Sequence, residues 1–158
     1  MKTVRKGFTL VELIIVVLII GAIAFIAVPR MMMAVVALGK SNTGAESIAA
    51  AIRHCRTRAI SDAATNQEGF ELGMKDKVGN SYTKFEIAKV VNGSPSTVVE
   101  SGTIPADVNC TGDGDSKFRF GPLGDRTGGS GSLTVSGGGK TYLISVYTGT
   151  GMVKCTQQ

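Results

Sequence analysis

The chain has 158 residues, which is enough for one folded domain and one additional segment. Its 17 basic and 12 acidic side chains give a formal net charge of +5, but three of the basic ones, Lys2, Arg5 and Lys6, precede Phe8. The remainder is almost balanced in charge, so the overall charge does not indicate a nucleic-acid-binding domain.

The first predicted element is an apolar helix. Residues Phe8–Val28 contain a single charged side chain, that of Glu12. Twenty-one residues at about 1.5 Å each span about 30 Å, the thickness of a bilayer's hydrocarbon core. No A-x-A-like cleavage site with a polar start follows this stretch, so it differs from an ordinary secretory signal. The basic residues before Phe8 predict that this end is cytoplasmic and that the rest of the chain lies on the other side.

The stretch KGFTLVELIIVVLIIGAIAFIAVP resembles the class III leader and N-terminal helix of type IV pilins and type II secretion pseudopilins. Gly7 corresponds to the residue before the prepilin peptidase cut, and Phe8 to the new N-terminus, which that family N-methylates. Glu12 matches the family's glutamate and Pro29 its helix-kinking proline. The resemblance implies that residues 1–7 are a cleaved leader and residues 8–28 a transmembrane and filament-core helix.

A carboxylate inside an apolar helix costs roughly 2.5–3.5 kcal/mol in a membrane, so Glu12 needs an explanation. The resemblance implies that Glu12 of one subunit meets the α-amino group of Phe8 of a neighbour, which would fix the register of packed helices. The two residues are four positions apart and share a helical face. The alternative is a carboxylate that is only stabilised by the helix dipole near the N-terminus.

The helix is predicted to continue over residues 29–65 as an amphipathic segment. Apolar residues recur there at spacings of three and four, which predicts one apolar stripe: Ala45, Ile48, Ile52, Cys55 and Ala59. Gly39 and Gly44 weaken the helix by about 1 kcal/mol each relative to alanine. One long helix, kinked at Pro29 and loosened between the two glycines, is expected.

From residue 66 the apolar pattern changes to the alternation of β-strands, separated by turns rich in glycine, asparagine and proline. Seven strand patterns follow: GFELGMK, SYTKFEIAKVV, STVVESGTI, KFRF, GSLTVS, KTYLISVYT and GMVKC. The fold class is therefore predicted to be α+β. A long N-terminal helix, half membrane-embedded and half amphipathic, packs on an antiparallel β-sheet headgroup, residues 66–158.

The second half is similar to the GspH/FimT branch of pilin-like proteins. The matching features are Arg56 and Ala59–Ile60 on the helix, then Phe118–Gly124, Gly131–Val135 and Gly149–Val153. This resemblance implies a minor pilin or pseudopilin, acting at initiation or at the tip of a type IV pilus or a type II secretion pseudopilus. The implied partners are other pilins, bound through the N-terminal helix, prepilin peptidase and an inner-membrane assembly platform.

DNA uptake in natural transformation is an alternative role, because some members of that branch are suggested DNA receptors with a C-terminal Gly-Arg-x-Arg motif. The corresponding residues here are Gly151–Lys154, in which methionine replaces the first arginine and lysine the second. The candidate DNA contacts are Arg126, Lys140 and Lys154, which with Arg119 would form a basic face. Surface charge in contact with solvent is the other explanation.

Three cysteines allow at most one intramolecular disulfide. Cys55 falls on the apolar stripe, where a free thiol behaves as a small apolar side chain. The sequence therefore favours a Cys110–Cys155 bridge, formed in an oxidising compartment, over pairings that use Cys55.

The sequence predicts no enzyme and no cofactor. The only histidine, His54, lies between arginines on the helix, and no nucleophile motif or zinc spacing is present. Asp113 and Asp115 offer oxygen ligands for Ca²⁺, but an EF-hand glutamate is missing and a polar turn is the alternative, so no metal site is predicted. The predicted localisation is the inner membrane, single-pass with a periplasmic C-terminus, followed by a pilus or pseudopilus. A major pilin remains the other structural alternative.

Overall fold

The structure is a computed structural model that describes residues 10–112 and 116–158, with only the backbone of helical residues 26–38 and 40. The chain divides into two compact units, with the boundary between Val36 and Ala37. Gly7 and Phe8, as well as Asp113 and Asp115, lie outside the described residues.

One helix, α1, runs over Leu10–Ser61 and belongs to both units. It is continuous through Pro29, Gly39 and Gly44, and the hydroxyl of Thr43 donates to the carbonyl of Gly39. The helix ends in a turn in which the N–H of Asp62 donates to the carbonyl of Arg58. Within the part of the chain that is described, no helix combines the length and the hydropathy of a membrane span.

The second part of α1 has the predicted apolar stripe. Its members are buried almost completely: Ala45, Ile48, Ile52, Cys55 and Ala59. Polar residues on the other side of the helix, such as Glu46 and Arg53, are exposed and form a surface ion pair at 3.6 Å. The spacing of three and four residues therefore predicts the buried face correctly.

The described residues after α1 form nine strands, all paired antiparallel in two sheets. The first sheet has the order β3-β2-β1-β5-β6 and the second β4-β7-β8-β9. The strands are β1 Phe70–Val78, β2 Ser81–Val91, β3 Ser94–Thr103, β4 Asn109–Gly112, β5 Lys117–Phe120, β6 Arg126–Gly129, β7 Ser132–Gly137, β8 Lys140–Val146 and β9 Val153–Gln157.

Both sheets and the second part of α1 share one apolar core. The largest buried side chains come from alternate positions of neighbouring strands, with Phe70 opposite Phe120 and Leu72 opposite Phe118 across β1 and β5. The second sheet contributes Leu133, Val135 and Ile144. The predicted α+β fold is confirmed, but the predicted single sheet is divided in two. The chain changes sheet between β3 and β4, between β4 and β5, and between β6 and β7. At the last of these, the carbonyl of Gly131 accepts from the N–H of Val146.

Candidate functional site

Residues Leu10–Phe25 form a helical surface that is apolar on every side, and we call them the N-terminal apolar segment. All of its residues are exposed, and its large apolar side chains range from 43% for Val16 to 85% for Phe25. A helix that is apolar all round is buried in a large core or a membrane. An exposed apolar surface of this extent is typical of a site of interaction with a membrane or with another protein.

Glu12 lies in the first turn of α1, and its side chain is exposed. It is the only charged residue of the N-terminal apolar segment. The proposed contact with the α-amino group of Phe8 involves a residue outside the described part of the chain. Pro29 lies within the continuous helix, and its side chain is not described.

The three candidate DNA contacts are not brought together. Arg126 donates from Nη2 to Oγ1 of Thr148 at 2.8 Å, just beyond the end of β8. Lys154 pairs with Ser145 near the same end, whereas Lys140 pairs with Gly137 at the start of β8. Five residues of strand correspond to about 17 Å, so Lys140 is far from the other two.

Arg119, the fourth member of the predicted basic face, is held by an ion pair. Its Nε and Nη2 both donate to Oε2 of Glu71, at 3.0 and 2.7 Å, and Glu71 is almost completely buried. A guanidinium that neutralises a buried carboxylate is not available to a phosphate. The single basic face predicted from the sequence is therefore not formed.

A contact between helix and loops is formed around Arg56, and we call it the arginine clasp: Arg56, Gly124 and Gly151. The Nε–H of Arg56 donates to the carbonyl of Gly124 at 2.8 Å. Gly151 lies against the same carbonyl, and its N–H donates to the carbonyl of Tyr147. The clasp thus joins the last turns of α1 to the loop after β5 and to the turn between β8 and β9.

Glycine is required at both loop positions of the clasp. Gly124 has φ +77°, and a Cβ there would lie 2.6 Å from Cδ1 of Ile60. Gly151 has φ +61°, and a Cβ there would collide with the carbonyl oxygen of Gly124. The residues that carry the similarity to the GspH/FimT branch therefore meet in space, although they are far apart in the sequence.

The predicted Cys110–Cys155 disulfide is wrong for this fold, and Cys55, Cys110 and Cys155 are free thiols. Cys110 is on β4 and Cys155 on β9, the two edge strands of the second sheet. Three strand spacings place the edges about 14 Å apart, whereas bridged cysteines need Cα atoms about 4.4–6.8 Å apart.

Burial controls the chemistry of these thiols. Desolvation raises the pKa of Cys110 to about 12, and desolvation followed by the charges of Glu71 and Glu100 raises the pKa of Cys55 to about 12. The pKa of Cys155, which is partly exposed, is also raised, mainly by burial. Because the thiolate is the reactive form, Cys55 and Cys110 are inert in the folded protein.

Among the described residues, no group of three His, Cys, Asp or Glu side chains is arranged to hold a metal ion. Nδ1 of His54 on α1 lies 2.9 Å from Oε2 of Glu100 on β3, and both side chains are at the surface. Asp113 and Asp115, the candidate calcium ligands, lie outside the described residues.

The sequence interpretation missed one group of residues. Leu123 and Met152 are exposed apolar residues next in the chain to Gly124 and Gly151, and Ile60 and Tyr147 are exposed as well. These positions follow no periodic pattern, because they lie in turns or at the ends of elements. The sequence feature that could have indicated them is a large apolar residue within a glycine-rich turn, as in GPLGD and GTGMV.

Residues 2–28 match the family described as the prokaryotic N-terminal methylation motif. The fold is similar to two crystal structures of the type IV minor pilin FimU of Pseudomonas aeruginosa strain PAO1. One has a TM-score of 0.54 and 15% identity, covering 73% of this chain and 91% of that one. The other has a TM-score of 0.57 and 15% identity, covering 75% and 89%. No curated protein matches the chain significantly.

The similarity to FimU shows the fold, and the methylation motif shows a prepilin leader at the N-terminus. The chain therefore carries an N-terminal methylation motif at residues 2–28 and has a fold similar to that of the type IV minor pilin FimU.

Proposed function

We propose that the protein is a minor structural subunit of a type IV pilus or a related pseudopilus, of the GspH/FimT type. In this proposal the peptidase cuts after Gly7, Phe8 is N-methylated, and Phe8–Val28 holds the subunit in the inner membrane with its headgroup in the periplasm. The subunit then enters the filament, at its initiation or at its tip. The role is structural, and the absence of catalysis stays a prediction.

One observation carries the proposal: the N-terminal apolar segment is uncovered on all sides and contains one carboxylate. Moving each large apolar side chain out of water contributes about 1.5–3 kcal/mol. Before assembly, lipid keeps these side chains out of water. In the filament, the helices of neighbouring subunits do so. In the filament, the α-amino group of a neighbour's Phe8 pairs with Glu12 and fixes the register of the packed helices.

Glu12→Ala tests this role. The variant keeps the leader and the apolar helix, so it should be processed and reach the membrane in normal amounts. It should be lost from sheared filaments, because the helix no longer has a charged partner to fix its register. Glu46→Ala is the matched control, since Glu46 is an exposed glutamate on the same helix whose ion pair with Arg53 is at the surface.

Immunoblots of the membrane fraction and of the sheared-filament fraction measure the amount of each variant in both. Loss of Glu12→Ala, with retention of Glu46→Ala, supports the proposal. Normal incorporation of Glu12→Ala would refute the assembly role of the carboxylate. The amount of wild-type protein in the sheared fraction also decides between a minor subunit, present at a small fraction of the main subunit, and a major pilin.

The geometry does not favour DNA uptake as the function. Lys140 is remote from Arg126 and Lys154, and Arg119 is neutralised by Glu71. The two that remain, Arg126 and Lys154, give little of the phosphate neutralisation that sequence-independent DNA binding requires.

A further inference from the structure

The hairpin of β2 and β3 turns through Asn92 and Gly93, the only Asn-Gly pair in the sequence. Both residues are left-handed, with φ of +52° and +74°, and Val91 pairs with Ser94 on either side of them. Two such residues between paired strands form a type I′ turn, in which Asn-Gly is strongly preferred. Asn92 and Gly93 are both exposed, so water reaches them.

A carboxylate holds both N–H groups of this turn, and we call the contact the turn clamp: Glu68, Asn92 and Gly93. The N–H of Asn92 donates to Oε1 of Glu68 at 3.0 Å, and the N–H of Gly93 donates to Oε2 at 2.6 Å. Hydrogen bonds to a charged acceptor are stronger than those between neutral groups. Successive N–H groups of a turn form a concave anion site, and here the chain supplies its own anion.

Glu68 is presented to the hairpin by the connection between α1 and β1. Its N–H donates to Oδ1 of Asn66, a side chain that is almost completely buried. Nδ2 of Asn66 donates in turn to the carbonyl of Gly69 at 2.5 Å. The same carbonyl accepts from the N–H of Val90, near the end of β2. The clamp is therefore anchored both to the connection and to the hairpin.

An Asn-Gly pair is chemically reactive because the glycine has no side chain to shield its nitrogen. That nitrogen attacks Cγ of the asparagine, so that an N–Cγ bond forms and the Cγ–Nδ2 bond breaks. Nδ2 leaves as ammonia and takes the proton of the attacking N–H. Water then opens the five-membered ring at either carbonyl, which gives aspartate or isoaspartate. The reaction needs no reactant other than water.

The turn clamp opposes this attack. Ring closure requires the nitrogen of Gly93 to lie on the same side of the Cα–C bond as the side chain of Asn92. In the left-handed conformation, with ψ of about +47°, the nitrogen lies on the opposite side. Glu68 holds the turn in this conformation and also binds the proton that has to leave. We propose that Asn92 is a deamidation site and that the carboxylate of Glu68 protects it.

Deamidation would change the hairpin permanently. Aspartate at position 92 places a second negative charge beside the carboxylate of Glu68, which is unfavourable. Isoaspartate adds a methylene group to the backbone path between Val91 and Ser94, so the two residues no longer match in the turn. Either product loosens the tip of β3, which is an edge strand of the first sheet.

Peptide mapping of the full-length protein in detergent micelles tests the proposal. The protein is incubated at mildly alkaline pH, and mass spectrometry follows the change in mass of the peptide that contains Asn92. Glu68→Ala should deamidate about five- to tenfold faster than the wild type, because both hydrogen bonds of the clamp are lost. Glu68→Gln, which keeps one of the two acceptor oxygens, should be intermediate. Glu46→Ala, at an exposed glutamate of α1, should leave the rate unchanged.

Two references in the same experiment separate a local effect from general unfolding. Asn80, exposed in the turn between β1 and β2, should react at the same rate with and without Glu68. The wild type unfolded in guanidinium chloride should deamidate at Asn92 faster than any folded variant. A folded wild-type rate equal to the unfolded one, a rate unchanged by Glu68→Ala, or an equal acceleration at Asn80 would overturn the proposal.

Discussion

Gly151 and Gly139 are both left-handed glycines, but their surroundings differ. Gly139 has φ +80° in the turn before β8 with nothing near a would-be Cβ, whereas Gly151 has φ +61° beside the carbonyl of Gly124. We expect Gly139→Ala to cost about 1–2 kcal/mol of unfolding free energy, for the backbone conformation alone. Gly151→Ala should cost a further 1–3 kcal/mol or so for the collision. Equal costs in urea denaturation would contradict this account of the clasp.

The three thiols should react very differently. At pH 8 a maleimide should label Cys155 first, because Cys55 and Cys110 are buried and the pKa of each is raised to about 12. The other two should react only after denaturation. Intact mass measured over time distinguishes the cases, and Cys155→Ser should remove the early adduct. A native Cys110–Cys155 disulfide would contradict the strand order, and three equal rates would contradict the burial of Cys55 and Cys110.

For individual residues, the sequence predicted which positions of the helix are buried, because helical periodicity is a local property. It did not predict the ion pair of Arg119 with Glu71, or the separation of Cys110 from Cys155. Both depend on which strands lie side by side, and strand order is set by contacts between distant parts of the chain.

Strands β1 and β5 hold the centre of the first sheet against α1. Phe118 on β5 is completely buried opposite Leu72. Phe118→Ala should therefore lower the unfolding free energy by about 3–5 kcal/mol, because it removes a large apolar side chain and leaves a cavity. Val78→Ala, at an exposed position on β1, should change it by less than about 0.5 kcal/mol.

Chemical denaturation measures both changes. A loss below about 1 kcal/mol for Phe118→Ala would mean that β5 does not pack in the core.

The elements that the sequence missed share a physical property. β4 and β6 have four residues each, NCTG and RTGG, and lack the apolar alternation of a half-buried strand. They form because neighbouring strands offer unpaired backbone groups, not because of their own side chains. The longer strands carry alternating apolar residues, and the sequence predicts them with ends shifted by a few residues.

At the scale of the whole molecule, the sequence predicted the α+β fold and the pilin family from two kinds of signal. The apolar segment with its single Glu12 is specific because its length and its charge have separate physical reasons. The division into two sheets and the arginine clasp depend on how loops close in three dimensions. No local pattern of residues 121–125 or 147–152 contains that information.

A further prediction concerns the cleavage of the leader from the chain. Gly7→Val should block cleavage, because a side chain is introduced at the residue before the predicted cut, and the full-length precursor should accumulate in the membrane. Gly21→Val, which changes the glycine inside the apolar segment, should still be cleaved. Immunoblots that resolve precursor from mature chain compare the two, and cleavage of Gly7→Val would place the cut elsewhere.

The central claim is that a cleaved, apolar N-terminal helix carries the subunit from the membrane into a filament. Intact-mass and N-terminal peptide analysis of the natural protein, purified from the membrane and sheared filament fractions, tests it most directly. The account predicts a mature chain that begins with a methylated Phe8 in both fractions. A chain that keeps residues 1–7, or that begins after the apolar segment, would contradict it.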